Sequence, residues 1–186
     1  MVGADLVVAI PVDDFADVSD TGTGLGLRGQ YRLRTIPCVS LRADVAFITY
    51  NYGQYIEYPY LIETRTQSIR FTAGPQLSIR YRRSELYLSP MYGTYIFYTS
   101  DNIAGYDITR ARNTNTEFGW NINGGIMIGI ARMPARSFDL ALDVGGSWHS
   151  VRKGVVAKTE VDGKLKDVKH DVTEFCIQVG VVLLFR

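Results

Sequence analysis

The tetrapeptide "SWHS" (Ser147 to Ser150) sets an imidazole beside a hydroxyl, the pair from which a general base and its nucleophile are made. That chemistry needs the two groups within hydrogen-bond reach. His149 and Ser150 are adjacent in a stretch that alternates apolar and polar residues, so a strand sends them to opposite faces. The spacing therefore predicts a satisfied interior histidine and no catalytic residue. Cys38 and Cys176 match no metal or redox spacing, and no cofactor or metal site is expected. Two other groups stand out. One is a set of charges embedded in alternating stretches: Arg28, Arg42, Asp44, Arg70, Arg80, Glu85, Asp143 and Glu174. The other is a run of tyrosines in "YNYGQYIEYPYLIETR", among them Tyr52, Tyr55, Tyr58 and Tyr60.

The elements that must position these residues are strands. In "SIRFTAGPQLSIRY" (Ser68 to Tyr81), Ile69, Phe71, Ala73, Leu77 and Ile79 alternate with Ser68, Arg70, Thr72, Gln76 and Arg80, a period of two with one apolar face. The same pattern runs through Gly3 to Val12, Gly24 to Leu33, Val39 to Tyr50, Phe118 to Ala131, Phe138 to His149 and Thr173 to Phe185. It is blurred in Glu85 to Thr99, where Met91, Tyr95 and Phe97 interrupt the apolar phase set by Leu86, Leu88, Pro90 and Ile96. Helical periodicity is nearly absent. The connections alternate between short ("RTIP", "RRS", "RMPARS") and long. This predicts an all-β, eight-stranded antiparallel up-and-down barrel occupying residues 1–186 as one domain. Four long loops lie at one end, with three short turns and both termini at the other.

The 186 residues carry a formal charge of +1 with both signs interspersed, which gives no basic stripe for nucleic acid. No run reaches the roughly 20 apolar residues of a membrane helix. The first twelve residues lack the basic flank and small-residue cleavage site of a secretory signal. A barrel with this pattern either hides its apolar face around a cavity, as a soluble lipocalin-type carrier, or turns it toward lipid. Four features favour a transmembrane barrel. The polar face is rich in Gly, Ser, Asn and Asp rather than Lys and Glu. Aromatic residues gather at both ends of the apolar face: Phe47, Phe71, Trp120, Trp148 and Phe175 at one, Tyr31, Tyr81, Phe138 and Phe185 at the other. Strands of ten or more residues suit a tilted membrane crossing, and the loop lengths are one-sided. Ile69, Phe71 and Leu77 are then expected to face lipid.

"LVVAIPVDDFADVSDTGTGLGLRGQYRL" resembles the first hairpin of the small outer-membrane β-barrel proteins of the OmpA/OmpX-like superfamily, in which "P-x-x-D-F" leads through an acidic loop to "G-x-G-x-x-x-x-Y". The closing "IQVGVVLLF" resembles the C-terminal strand read by the barrel-assembly machinery, although Arg186 follows the terminal aromatic Phe185. The resemblance implies the bacterial outer membrane, extracellular long loops, periplasmic termini and a structural or surface-interaction role without enzymatic activity. Membrane lipid, lipopolysaccharide and other surface proteins are the implied partners. The PagL-like outer-membrane lipid-modifying hydrolases are the alternative. They pair His and Ser two residues apart on one face, a spacing that His149 and Ser150 do not have.

In such a barrel Arg28, Arg42, Asp44, Gln76, Asp143 and Gln178 are expected near mid-lumen, and Arg80 is expected to face Glu85 across a short turn. Paired charges would fill an interior too narrow for a large open pore. The tyrosine run is a candidate surface-binding loop. "DG" at Asp162-Gly163 signals a hairpin that carries the last strands past the membrane as a lysine-rich ribbon. Cys38 and Cys176, at opposite ends, are expected to stay unbridged.

Overall fold

The computed structural model describes residues 1–17, 19–50, 53–57, 60–103, 109–132, 138–161 and 164–185; side chains within 51–64, 101–112, 132–137 and 156–168 lie outside that set. Nine strands follow in order: β1 (Val2–Val12), β2 (Gly22–Arg32), β3 (Val39–Tyr50), β4 (Gly53–Glu57), β5 (Tyr60–Tyr81), β6 (Ser84–Ile103), β7 (Thr109–Arg132), β8 (Phe138–Val161) and β9 (Lys164–Phe185). Eight of them form a closed antiparallel ring, with β1 paired to β9 at Leu6↔Val179 and β3 paired to β5 at Ala43↔Ala73. β4 is a short addition to β5 beyond the end of β3. Among the described residues no helix is long and apolar enough to cross a membrane.

The faces divide as the alternation predicts. Leu77 is 54% and Ile79 74% exposed, whereas Arg42 is 2% and Asp143 0% exposed. A soluble carrier would show the reverse, so that alternative fails. Apolar side chains wrap the outside of the ring, including Leu6, Leu25, Leu41, Leu86, Ile122 and Val181, and burying them requires hydrocarbon rather than water. Of the rim aromatics, Phe47, Phe71, Trp120, Trp148, Phe175, Tyr31, Tyr81 and Phe185 are exposed on this outer surface, while Phe138 is half-buried. Both cysteines are free, Cys38 exposed and Cys176 buried.

The segments expected as long loops are in large part strand. A tilted strand crosses a bilayer in about 9–11 residues, yet β7 and β8 each hold 24 residues and β9 holds 22. Pairing continues to Ile62↔Ile103 between β5 and β6 and to Val161↔Lys164 between β8 and β9. These outer segments have no lipid-facing apolar set, so they read as loops, but an antiparallel ladder is held by backbone hydrogen bonds regardless of side-chain polarity. β7 and β8 part beyond Gly119↔Val151. The β8–β9 register shifts between Val151 and Val155, with Lys153 at φ 54°, a bulge that bends the ribbon where it leaves the ring. The Asp162-Gly163 signal falls outside the described residues, as do Tyr52 and Tyr58. Tyr55 belongs to β4 and Tyr60 opens β5, but their side chains are not described.

Candidate functional site

Three charge groups occupy the lumen at successive heights. Nearest the short turns, Glu85 at the start of β6 receives Arg80 Nε at 2.7 Å and Arg32 Nη2 at 2.7 and 2.8 Å; Arg80 and Glu85 are direct partners across the turn. At mid-height Arg28 Nη2 lies 2.7 Å from Asp5 and 2.6 Å from Asp143, whose second contact is the Tyr87 hydroxyl donating at 3.0 Å. Arg42 grips Asp44 through Nε and Nη2 at 2.7–3.0 Å and sits over the Tyr87 ring at 5.2 Å. Toward the long loops, Arg70 pairs with Glu174 at 2.5 Å, and the Tyr50 hydroxyl donates to Glu174 while accepting from Arg70.

The count matters. Five guanidiniums (Arg28, Arg32, Arg42, Arg70, Arg80) meet five carboxylates (Asp5, Asp44, Glu85, Asp143, Glu174), so the paired set is neutral. Ionised groups withdrawn from water persist only when paired in this way. Glycines make the pairing possible. Asp5 is flanked across the ladder by Gly26 and Gly180; a Cβ on Gly180 would lie 2.0 Å from the Asp5 carboxylate. Gly125 and Gly145 clear the path of the Tyr87 hydroxyl, which a Cβ on either would meet at 2.6 or 2.7 Å.

All eight charged residues singled out in the sequence face the interior or its mouth. The sequence missed Asp5, Arg32 and the aromatic partners Tyr50, Tyr87 and Tyr95. β6 explains the blurred pattern: its phase is intact, with Glu85, Tyr87, Ser89, Met91, Tyr95, Phe97 and Thr99 buried and Leu86, Leu88, Tyr92 and Tyr98 exposed. Its lumen face is aromatic instead of small and polar.

The histidine expectation needs a correction. Ser150 does point away from His149, but Ser147, two residues earlier, shares the His149 face, and its Oγ lies 2.7 Å from Nε2. The other ring nitrogen, Nδ1, meets the Tyr95 hydroxyl at 3.0 Å, and Gln178 donates to Ser147 at 3.2 Å. A hydroxyl–imidazole contact therefore exists. It is fully buried, and the adjoining cavity, lined by His149, Arg70, Asn121 and Gln178, measures about 20 Å³, room for roughly one water. His149, Glu174 and Cys176 also bring three potential ligand atoms within 4.8 Å of one another. Arg70 Nη1 lies 2.5 Å from Glu174 and 3.6 Å from Cys176 Sγ, so a guanidinium already supplies the positive charge that a metal ion would bring.

Above this group the lumen turns apolar. Phe15, from the 3-10 turn Asp13–Phe15 after β1, packs with Tyr50 (centroids 5.1 Å apart), Phe97, Val151, Val155 and Val172 over Cys176. The cluster seals the long-loop end of the interior.

Inward ion pairs, an outward apolar belt and eight meandering strands define the small outer-membrane β-barrel fold. Among solved structures the chain is similar to the Neisserial surface protein A, at 17% identity and TM-score 0.55 over 100% of this chain and 96% of that one. It is also similar to Ail, the attachment invasion locus protein of Yersinia pestis, both alone and in complex with the heparin analogue sucrose octasulfate. Each of these aligns at 12% identity and TM-score 0.53 over 99% of this chain and 96% of that one. No family model and no curated protein matches the sequence.

Proposed function

We propose that the chain is a non-enzymatic barrel of the bacterial outer membrane, with periplasmic termini, whose ring anchors the outer halves of β4 to β9 for contact with a polyanionic surface or another protein. One observation carries this reading: the paired charges and apolar seal close the interior, while the strands run about a dozen residues past what a bilayer requires. The ion pairs serve as structural filling. The β8–β9 ribbon is the strongest contact candidate, since Lys158, Lys164, Lys166 and Lys169 lie along it, and the solved complex of Ail holds a sulfated heparin analogue. The tyrosine run is a second contact surface.

The test is binding of heparin and lipopolysaccharide by the detergent-solubilised chain, with and without residues 155–168. Deletion should weaken binding by about tenfold or more, the factor for losing one or two charge-assisted contacts; undiminished binding rejects the ribbon's role. Heat-modifiable gel migration and surface labelling of the ribbon in intact cells check the placement. Planar-bilayer recordings should show no large ohmic conductance.

The Ser147–His149 contact favours one second reading, a lipid-modifying hydrolase. Incubating lipid A with the chain and with Ser147→Ala separates the two: acyl loss that depends on Ser147 would install the hydrolase, and unchanged lipid A leaves the anchored barrel.

A further inference from the structure

The short-turn end of the barrel holds a cavity of about 330 Å³, far larger than the one beside His149. It is lined on one side by Arg80, Arg82, Arg83 and Glu85, and on the other by Met127, Ile130, Leu140, Leu184 and Phe185, with Asp139 as the one further carboxylate among the described lining residues. The bulge between Gly129 and Ala131 in β7 opens it: the register with β8 slips there, and the Gly129 amide turns to the Arg83 carbonyl at 2.8 Å.

Charge is unevenly matched in this mouth. Glu85 is already shared by Arg80 and Arg32. Arg82 stands in the turn at φ 57° with its guanidinium over the Tyr81 ring at 5.3 Å. Arg83 has no side-chain partner among the described residues. Lysine is missing from this end of the sequence, where Arg32, Arg34, Arg80, Arg82, Arg83 and Arg132 gather; all five lysines belong to the β8–β9 ribbon, from Lys153 to Lys169. Arginine forks bind phosphoryl oxygens bidentately, which a lysine cannot do. The apolar half of the cavity includes the outward-facing Ile130 and Phe185, both exposed at the edge of the lipid-facing belt, so an acyl chain can leave the cavity without crossing a polar surface.

We propose that this mouth is a binding site for one anionic phospholipid, its phosphate held by Arg82 and Arg83 with Arg80, and its glycerol and first methylenes seated against Leu140, Leu184 and Phe185. A free phosphate would use only the arginine half. The site rests on the membrane-spanning reading, yet the two fail separately, since solubility in plain buffer would sink that reading without any lipid being tested.

The experiment is native mass spectrometry of the full chain, released from detergent after equilibration with phosphatidylglycerol, phosphatidylcholine or inorganic phosphate. One phosphatidylglycerol should be retained at least about tenfold more than phosphatidylcholine, the factor expected for a charge-assisted contact. Arg82→Gln/Arg83→Gln should abolish that preference, while Arg34→Gln, at the same end but outside the cavity, should keep it. Heat-modifiable migration of each variant confirms that it folds. Equal retention of both lipids, a preference that survives the double substitution, or displacement of the lipid by millimolar inorganic phosphate would each overturn the proposal.

Discussion

The two ends of the lumen solve the same problem in opposite ways. At the long-loop end the Arg70–Glu174 pair lies under an apolar seal of Phe15, Tyr50, Phe97, Val151, Val155 and Val172. At the short-turn end Glu85 and its two arginines open onto a cavity of about 330 Å³. A pair in the first setting has lost its water and depends on its partner; one in the second can still be solvated. Chemically similar ion pairs thus carry different weights, set by what covers them. One barrel is in this way sealed toward its ribbons and open toward its termini.

The largest test of that contrast is to break one pair at each end. Arg70→Met should cost about 3–5 kcal/mol, the penalty of stranding a buried carboxylate; Arg80→Met, with Arg32 still on Glu85, should cost less than about 1 kcal/mol. Urea unfolding in detergent micelles reads both, and equal losses would erase the distinction between the ends. Arg70→Met/Glu174→Leu should recover most of the first loss, because an apolar pair no longer leaves a charge behind. Next in size is the seal. Phe15→Ala should destabilise by about 3 kcal/mol and, in a Cys38→Ser background, admit a water-soluble maleimide to Cys176, which is otherwise fully buried in that cluster. A thiol still unreactive in the folded variant would show that Phe15 is not what closes the top. Gly180→Val is smaller, about 1–3 kcal/mol of overpacking, because its Cβ meets the Asp5 carboxylate and the Ala4 carbonyl at 2.0 and 2.4 Å.

How much of this was legible in the sequence follows from the same physics. The membrane-facing strands and the inward charges were readable because side chains alternate strictly in a ladder and lipid tolerates no charge. Arg80 opposite Glu85 followed from the short turn between them alone. Partners across the lumen were not readable: Asp5, Arg28 and Asp143 sit on β1, β2 and β8, and only closure of the ring brings β8 across from β2. Tyr87 and Tyr95 were hidden because an aromatic residue facing a lumen looks, in one dimension, like a break in the apolar phase. Ser150 stands beside His149 in the sequence, but Ser147, two places away, is the residue that shares its face. The β8–β9 ribbon was legible from its Asp162-Gly163 hairpin signal, but the outer parts of β5, β6 and β7 read as loops because their alternation no longer separates lipid from lumen, and pairing there depends on the neighbouring strand rather than on composition.

The smallest effect concerns the ribbons beyond the sealed end. Where β7 and β8 part, Asn115 bridges them: Nδ2 donates to the Lys153 and Gly154 carbonyls at 2.6 and 3.1 Å, and Oδ1 accepts from Lys169 Nζ at 3.2 Å. Lys169 also reaches Glu117 at 3.5 Å, and the Lys153 amide donates to Asp171 at 2.7 Å. These contacts are largely exposed, so each is worth little, but they meet at the bulge that sets the direction of the β8–β9 ribbon. Asn115→Ala removes the bridge and leaves the ladder. It should leave the unfolding midpoint nearly unchanged, yet raise amide exchange across residues 151–156 and 169–172 by about fivefold, the factor for 1 kcal/mol of local opening. Asp171→Ala, which frees only the Lys153 amide, should act at the bulge alone. If exchange in the Asn115 variant matched the parent, the ribbon would be held by its own backbone pairing, and the seam between β7 and β8 would have no part in aiming it.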